Sequence, residues 1–280
     1  MPSRDVQEID ASARVMRTRG GSRNNVASKI VMLIRIICAA VLAALTWSIV
    51  ITTPSKAGPL HDAALDGDIK TMDRLIAEGA DVGASDSAGS TPLHVSAMNG
   101  QAQVCELLIR HGADINATNK SGSTPLHLAA LGKSPRAAEI LVTNNAQINA
   151  RDGGGATPLH LAAQGGRTEL TKLLIGHGAD IDAGDKNGVT PLHVAAENGQ
   201  AEETELLIRA GAALSSANSD GSTPLHLAAN QGNIRVAELL IAAGANLTSK
   251  DNSSHTPLAR AYLRNHRDLI NLLKKNGATL

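Results

Sequence analysis

Six histidines recur at 33-residue intervals: His61, His94, His127, His160, His193 and His226. Imidazole is the commonest metal ligand, so a ladder of metal sites is the first chemistry such a row suggests. Geometry argues against it. Stacked helices lie ~8–10 Å apart, whereas zinc holds its nitrogens at ~2.0–2.1 Å. Equivalent histidines of neighbouring units cannot share an ion, and the row is read as structural. His111 and His177 each precede a glycine that closes an apolar run. A partly positive ring there suits the negative end of a helix dipole, so these too are read as structural.

Other reactive groups are few. Gly132-Lys133-Ser134 has the closing residues of a phosphate-binding loop, but the motif needs a glycine five places earlier, where His127 stands. It also has no strand before it. His-Glu-x-x-His, Gly-x-Ser-x-Gly and paired-cysteine spacings are absent. No catalytic, cofactor-binding or metal-binding residue is therefore assigned, and the chain is read as no enzyme. Cys105 has no partner cysteine in the body, Cys38 lying in the leader, and is expected to be a small buried hydrophobe. Glu203 falls in a column otherwise held by Val104, Leu170 and Val236. It is expected at a rim with its stem buried, the alternative being a buried functional carboxylate.

Composition narrows the fold. The chain has no Phe, one Trp and one Tyr. Its core must come from Leu, Ile, Val and Ala, which suits closely stacked helices better than aromatic-rich sandwiches. The same lack removes the stacking platforms that single-stranded nucleic acid needs. Residues 58–280 carry 18 Lys/Arg against 23 Asp/Glu, an acidic body that argues against duplex DNA. Nucleic acid is thus not an expected partner.

The elements that position these residues form a repeat. Thr-Pro-Leu-His starts at Thr91, Thr124, Thr157, Thr190 and Thr223, always 33 residues apart, with Gly58-Pro59-Leu60-His61 before and Thr256-Pro257-Leu258-Ala259 after. The threonine suits a helix N-cap and the proline the first helical position. Leu93 and Ala97 share one helical face. A second helix follows, with Val104, Leu107 and Leu108 in helical spacing, and Gly112 ends it as a left-handed cap. Asp86 and Gly89 are turn residues at the tip. One unit cannot bury its own apolar face, so the units must stack.

These units resemble the ankyrin family over 223 of the 280 residues. The resemblance implies an all-α solenoid of seven helix-turn-helix repeats, residues 58–280, with short tip turns. It implies that the row histidine bonds backbone and steadies the turn. It makes the Asn116-Ala117-Thr118 glycosylation match incidental, Asn being usual there. It also implies a concave face, lined by tips and first helices, that binds a protein. Slots that vary between repeats on that face are the expected partner contacts: Met98, Asn99, Lys120, Leu131, Gln164, Lys186, Asn187, Glu197, Asn198, Asn230 and Gln231. Met98 and Leu131 are the expected apolar anchors within a polar surround.

The ends read as caps. Arg74 takes the slot of Leu107, and Arg260, Arg264, Arg267, Lys274 and Lys275 mark the last repeat. Polar terminal faces keep such arrays soluble, and the array is expected to be complete. Lys133 replaces an inter-helix glycine, and Asn145 replaces a C-cap glycine as the next-best left-handed residue.

Residues 1–57 differ from the body, with eight Lys/Arg against three Asp/Glu. No charge occurs from Ile36 to Thr53, Arg35 precedes the run, and Pro54, Ser55, Lys56 and Ala57 follow. This is the pattern of an export signal cut after Ala57, with translation from Met32 giving the usual length of about 15–30 residues. The alternative is an uncleaved anchor using residues 30–53, whose uncharged run of 18 residues from Ile36 to Thr53 is marginal for a span of ~20. Both place the repeats outside the cytoplasm, since the positive flank stays inside. Export points to the periplasm or to secretion. The anchor points to the inner membrane.

Overall fold

A computed structural model of the chain describes residues 58–132 and 134–279. The leader, with its cleavage site, its alternative start and Cys38, lies outside the described residues, as does Lys133. The described residues form seven helix pairs: α1 (Pro59–Asp66) and α2 (Ile69–Ala77), α3 (Pro92–Asn99) and α4 (Ala102–Arg110), α5 (Pro125–Leu131) and α6 (Pro135–Thr143), α7 (Pro158–Gly165) and α8 (Thr168–Gly176), α9 (Pro191–Glu197) and α10 (Ala201–Arg209), α11 (Pro224–Gln231) and α12 (Ile234–Ala242), α13 (Pro257–Leu263) and α14 (Arg267–Lys275). Each first helix packs on the first helix of the next repeat, and each second helix on the next second helix.

Local chemistry starts each first helix as the sequence requires. Thr91 is an extended N-cap, Pro92 opens the helix, and His94 closes a capping box at the third position. The same box recurs at Thr124, Thr157, Thr190 and Thr223. Gly100, Gly166 and Gly232 end their first helices in the left-handed region. In repeat three Gly132 is extended instead, with φ −62° and ψ 171°. Asn145 takes the left-handed cap at φ 66°, in place of glycine.

The core follows the repeat. Leu93, Leu126, Leu159, Leu192, Leu225 and Leu258 form a fully buried column in the first helices, and Leu108, Leu141, Leu174, Leu207 and Leu240 one in the second. Ala97, Ala130, Ala163, Ala196 and Ala229 are buried where first helices meet, the close approach that a methyl side chain permits. Cys105 is buried too, its Sγ 3.2 Å from the Ser96 hydroxyl, and burial pushes the thiol up to about 11.

The tips are stitched by backbone. Lys120 N donates to Ala88 O at 2.9 Å, Gly153 N to Ser121 O at 2.7 Å, Lys186 N to Gly154 O at 3.0 Å, Ser219 N to Asn187 O at 2.7 Å and Asn252 N to Asp220 O at 3.0 Å. A Cβ on Gly122 would meet Gly153 N at 2.6 Å, so this stitch needs glycine there.

Two expectations are corrected. Glu203 is not at a rim: it is 0% exposed, because the slot it shares with Val104 and Val236 faces the inside of the second-helix layer. Arg260 is not simply part of a polar outer face. It is half-buried, and its Nε donates to Asp251 Oδ2 at 2.6 Å. Burial alone would raise the Asp251 carboxyl, but bonds from His255 N and Arg260 win and hold it below its ordinary value. Arg74, Arg264, Arg267, Lys274 and Lys275 are exposed as expected of end repeats. Among the described residues no helix is long and apolar enough to cross a membrane.

Candidate partner-binding face

The histidine row shows how the first helices are held. In His94, His127, His160, His193 and His226, Nδ1 accepts from the backbone N–H of the cap threonine at 3.1–3.2 Å. Nε2 then donates to a carbonyl of the next repeat: Ser123, Ala156, Val189, Ser222 and His255, at 2.8–3.1 Å. The carbonyl fixes the tautomer, since only an N–H can serve it. Burial lowers the pKa of all five below the ordinary imidazole value, so the neutral ring is favoured. His61 donates likewise to Ser90 O at 2.9 Å, but Gly58 stands where the others have threonine and Nδ1 has no partner. The row's backbone role, implied by resemblance, is thus what the structure shows. Asn116 is also a strut, its Oδ1 accepting from Gln147 N at 2.8 Å. Among the described residues no group of three or more His, Cys, Asp or Glu is placed to hold a metal.

The expected partner contacts divide into two kinds. Several are occupied within the fold. Lys120 and Lys186 donate their ammonium groups to the preceding tips, at Ser87 O (2.8 Å) and Gly153 O (2.7 Å). Asn99 and Asn198 cap their own helices through Val95 O and Val194 O. Asn230 accepts from Arg264. Gln164, Asn187, Glu197 and Gln231 are exposed. Leu131 is 38% exposed, and Met98 is half-buried one repeat before it.

The same slot holds two residues that the sequence reading passed over. Leu65, one period before Met98, is 37% exposed, and Leu263, in the last repeat, is 57% exposed. A 33-residue step from Met98 would have found both. A second row, Val95, Leu128, Leu161, Val194 and Leu227, is half-buried three residues before the first. Residues three apart share a helix face. Repeats two and three therefore present two apolar rows side by side, extended by Leu65 in repeat one. Charge on the first helices is one-sided. From α1 to α11 they carry Asp62, Asp66 and Glu197, all exposed, and no Lys or Arg; the arginines come only on α13.

A cleft of about 240 Å³ opens between the helix turns of repeats three and four, lined by Ser134, Pro135, Arg167 and Thr168 among others. A row of side chains bridges four of the six joints here. Gln101 Nε2 donates to Leu65 O, Gln200 Nε2 to Gln164 O, Asn233 Nδ2 to Glu197 O and His266 Nε2 to Asn230 O. Ser134 and Arg167 occupy the same slot and make no such bond among the described residues; Arg167 Nε is buried without a partner.

A family model described as ankyrin repeats matches three times, over residues 60–152, 150–216 and 203–280. The ankyrin repeat domain of human ASB11 superposes with a TM-score of 0.72 at 27% identity, covering 80% of this chain and 100% of that one. The ankyrin repeat domain of Bcl-3, described as a unique member of the IkappaB protein family, gives 0.65 at 31% identity, covering 77% and 98%. Comparison with curated proteins gives no match.

Proposed function

Because the chain belongs to the ankyrin-repeat family, whose domains are generally protein–protein interaction modules, we propose that residues 58–280 are a non-enzymatic binding module acting outside the cytoplasm. The observation that carries the reading is the apolar row in which half-buried Met98 lies between exposed Leu65 and Leu131, backed by Val95 and Leu128. Apolar anchors ringed by polar residues are what a binding hot spot needs. The face lies on the first helices, concave by analogy with the family. Its partner is a protein that offers apolar side chains to repeats one to three, with basic residues toward Asp62 and Asp66. Nucleic acid does not fit this face, whose first helices from α1 to α11 carry no Lys, Arg, Phe, Tyr or Trp.

Capture from the exported fraction tests the reading. A partner retained by the wild-type domain should be lost with Met98→Asp/Leu131→Asp and kept with Lys274→Ala/Lys275→Ala. The opposite pattern would move the site to the basic last repeat.

A membrane-tethered version of the same module is the second reading, favoured by the uncharged run from Ile36 to Thr53. Intact mass of the native fractionated protein separates the two. A chain beginning at Gly58 supports export with cleavage. A membrane-bound species retaining Ile36 to Ile51 supports the tether.

A further inference from the structure

The second helices stack through two adjacent slots per repeat. One holds Val104, Ala137, Leu170, Val236 and Leu269, all buried, and in repeat five it holds Glu203. The other holds Cys105, Ala138, Ala237 and Ile270, and in repeats four and five Thr171 and Thr204. One joint of the layer thus buries a carboxyl and two hydroxyls where, in these slots, repeats two, three, six and seven bury only hydrocarbon and the Cys105 thiol. The Thr171 hydroxyl donates across the joint to Glu203 Oε1. Glu203 Oε2 and Thr204 Oγ1 are buried without a partner.

The apolar core breaks at the same place. Buried side chains from Leu60 to Ala179 form one cluster, and those from Leu192 to Ala278, together with Ala163, form another; Ile175, half-buried, touches both. Repeats one to four and five to seven therefore bury largely separate apolar clusters, linked through Ala163 and Ile175 of repeat four, and Glu203 sits at the joint between them.

Nothing around Glu203 offsets a charge. On α8, Leu170, Thr171 and Leu174 are buried, while its Glu169 and Lys172 pair with each other at the surface. On α9, Glu197 is exposed and His193 is committed to Ser222 O. On α12, Val236, Ala237 and Leu240 are buried, while Arg235 and Glu238 pair outside. On α10 itself, Glu202 is exposed and Glu205 pairs with Arg209.

We propose that Thr171, Glu203 and Thr204 form a proton-operated joint: a proton on Glu203 holds repeats one to four and five to seven in one stack, and release of that proton to solvent loosens the seam. A carboxylate formed here would be buried without a cation, an arrangement that costs far more than a neutral acid accepting one hydrogen bond. The same burial, only partly opposed by the Thr171 bond, pushes the Glu203 carboxyl up to about 7, against an ordinary value of 4.5. The sign follows. Native protein binds the proton more tightly than unfolded chain, so the joint's stability is complete below the ordinary value and is lost as pH rises through about 7. The proposal is independent of which partner the module binds.

Hydrogen exchange on the full chain tests it, comparing wild type with Glu203→Gln and Glu203→Val. Rates are corrected for intrinsic pH dependence. The histidine row is common to all three proteins and cancels. Val is the residue that repeats two and six place in this slot; Gln keeps the shape and the hydrogen bond if Val perturbs packing. Between about pH 6 and about pH 8, wild-type protection over 168–176 and 201–209 should fall by roughly tenfold more than in either variant, with repeats two and three unchanged. Equal losses in all three proteins, or a loss spread evenly over the seven repeats, would overturn the joint.

Discussion

The side-chain amide of Gln101 donates to the carbonyl of Leu65 at 3.1 Å, tying repeat two to repeat one beside the exposed end of α1. Ser134 stands in the same slot one repeat later and is too short to reach Met98 O. Met98 and Leu131, the two anchors of the apolar row in repeats two and three, thus lie where the side-chain bridging stops. Ser134→Gln should restore the bridge and stabilise the domain by about 0.5–1 kcal/mol, read as a raised urea midpoint. An unchanged or lowered midpoint would show that the missing bridge is not what separates this joint from its neighbours.

His160→Ala removes the acceptor for Thr157 N–H and the donor for Val189 O, both at a buried joint. It should cost roughly 1–3 kcal/mol in equilibrium unfolding. Metal content of the purified native protein should be the same in variant and wild type. Stoichiometric zinc that disappears with the imidazole would reverse the structural reading of the row.

Acid should weaken the stack through the same rings. Burial lowers the pKa of His94, His127, His160, His193 and His226, so unfolded chain binds protons more readily than native protein. Their stabilisation is present above the ordinary imidazole value of about 6.5 and is lost as pH falls below it. Glu203 titrates with the opposite sign, so the effect is cleanest in Glu203→Gln. Urea midpoints of that variant should fall steadily from about pH 7 to about pH 5. A flat profile would mean that the rings are not held neutral by the fold.

Sequence and structure agree wherever one residue type has one physical use. Thr91 before Pro92, Leu93 four residues before Ala97, and a glycine after every second helix but that of repeat three leave few alternatives, and the helix pairs follow from them. Asn145 was legible for the same reason, since few residues other than glycine tolerate a left-handed cap. Glu203 was not. Its column is apolar, and a lone carboxylate is ordinarily kept at a rim because burial is costly; only the packing of α8 against α10 shows that the slot admits no water-facing path. Lys120, Lys186, Asn99 and Asn198 read as free surface because they vary between repeats. The bonds that engage them run to backbone carbonyls, which no residue pattern marks. Leu65 was missed for a simpler reason: it belongs to the first repeat, which was read as a cap, although its slot is one period from Met98.

The binding face is tested most directly by affinity for the captured protein partner. Kd should be measured for wild type, Met98→Ala, Leu131→Ala and the Lys274→Ala/Lys275→Ala control, alongside each melting temperature. Met98→Ala and Leu131→Ala should each weaken binding by about 1 kcal/mol or more, roughly fivefold, with melting temperatures little changed. The lysine control should bind as wild type. Undiminished affinity in both apolar variants, with loss in the lysine control, would contradict the assignment of the first-helix face.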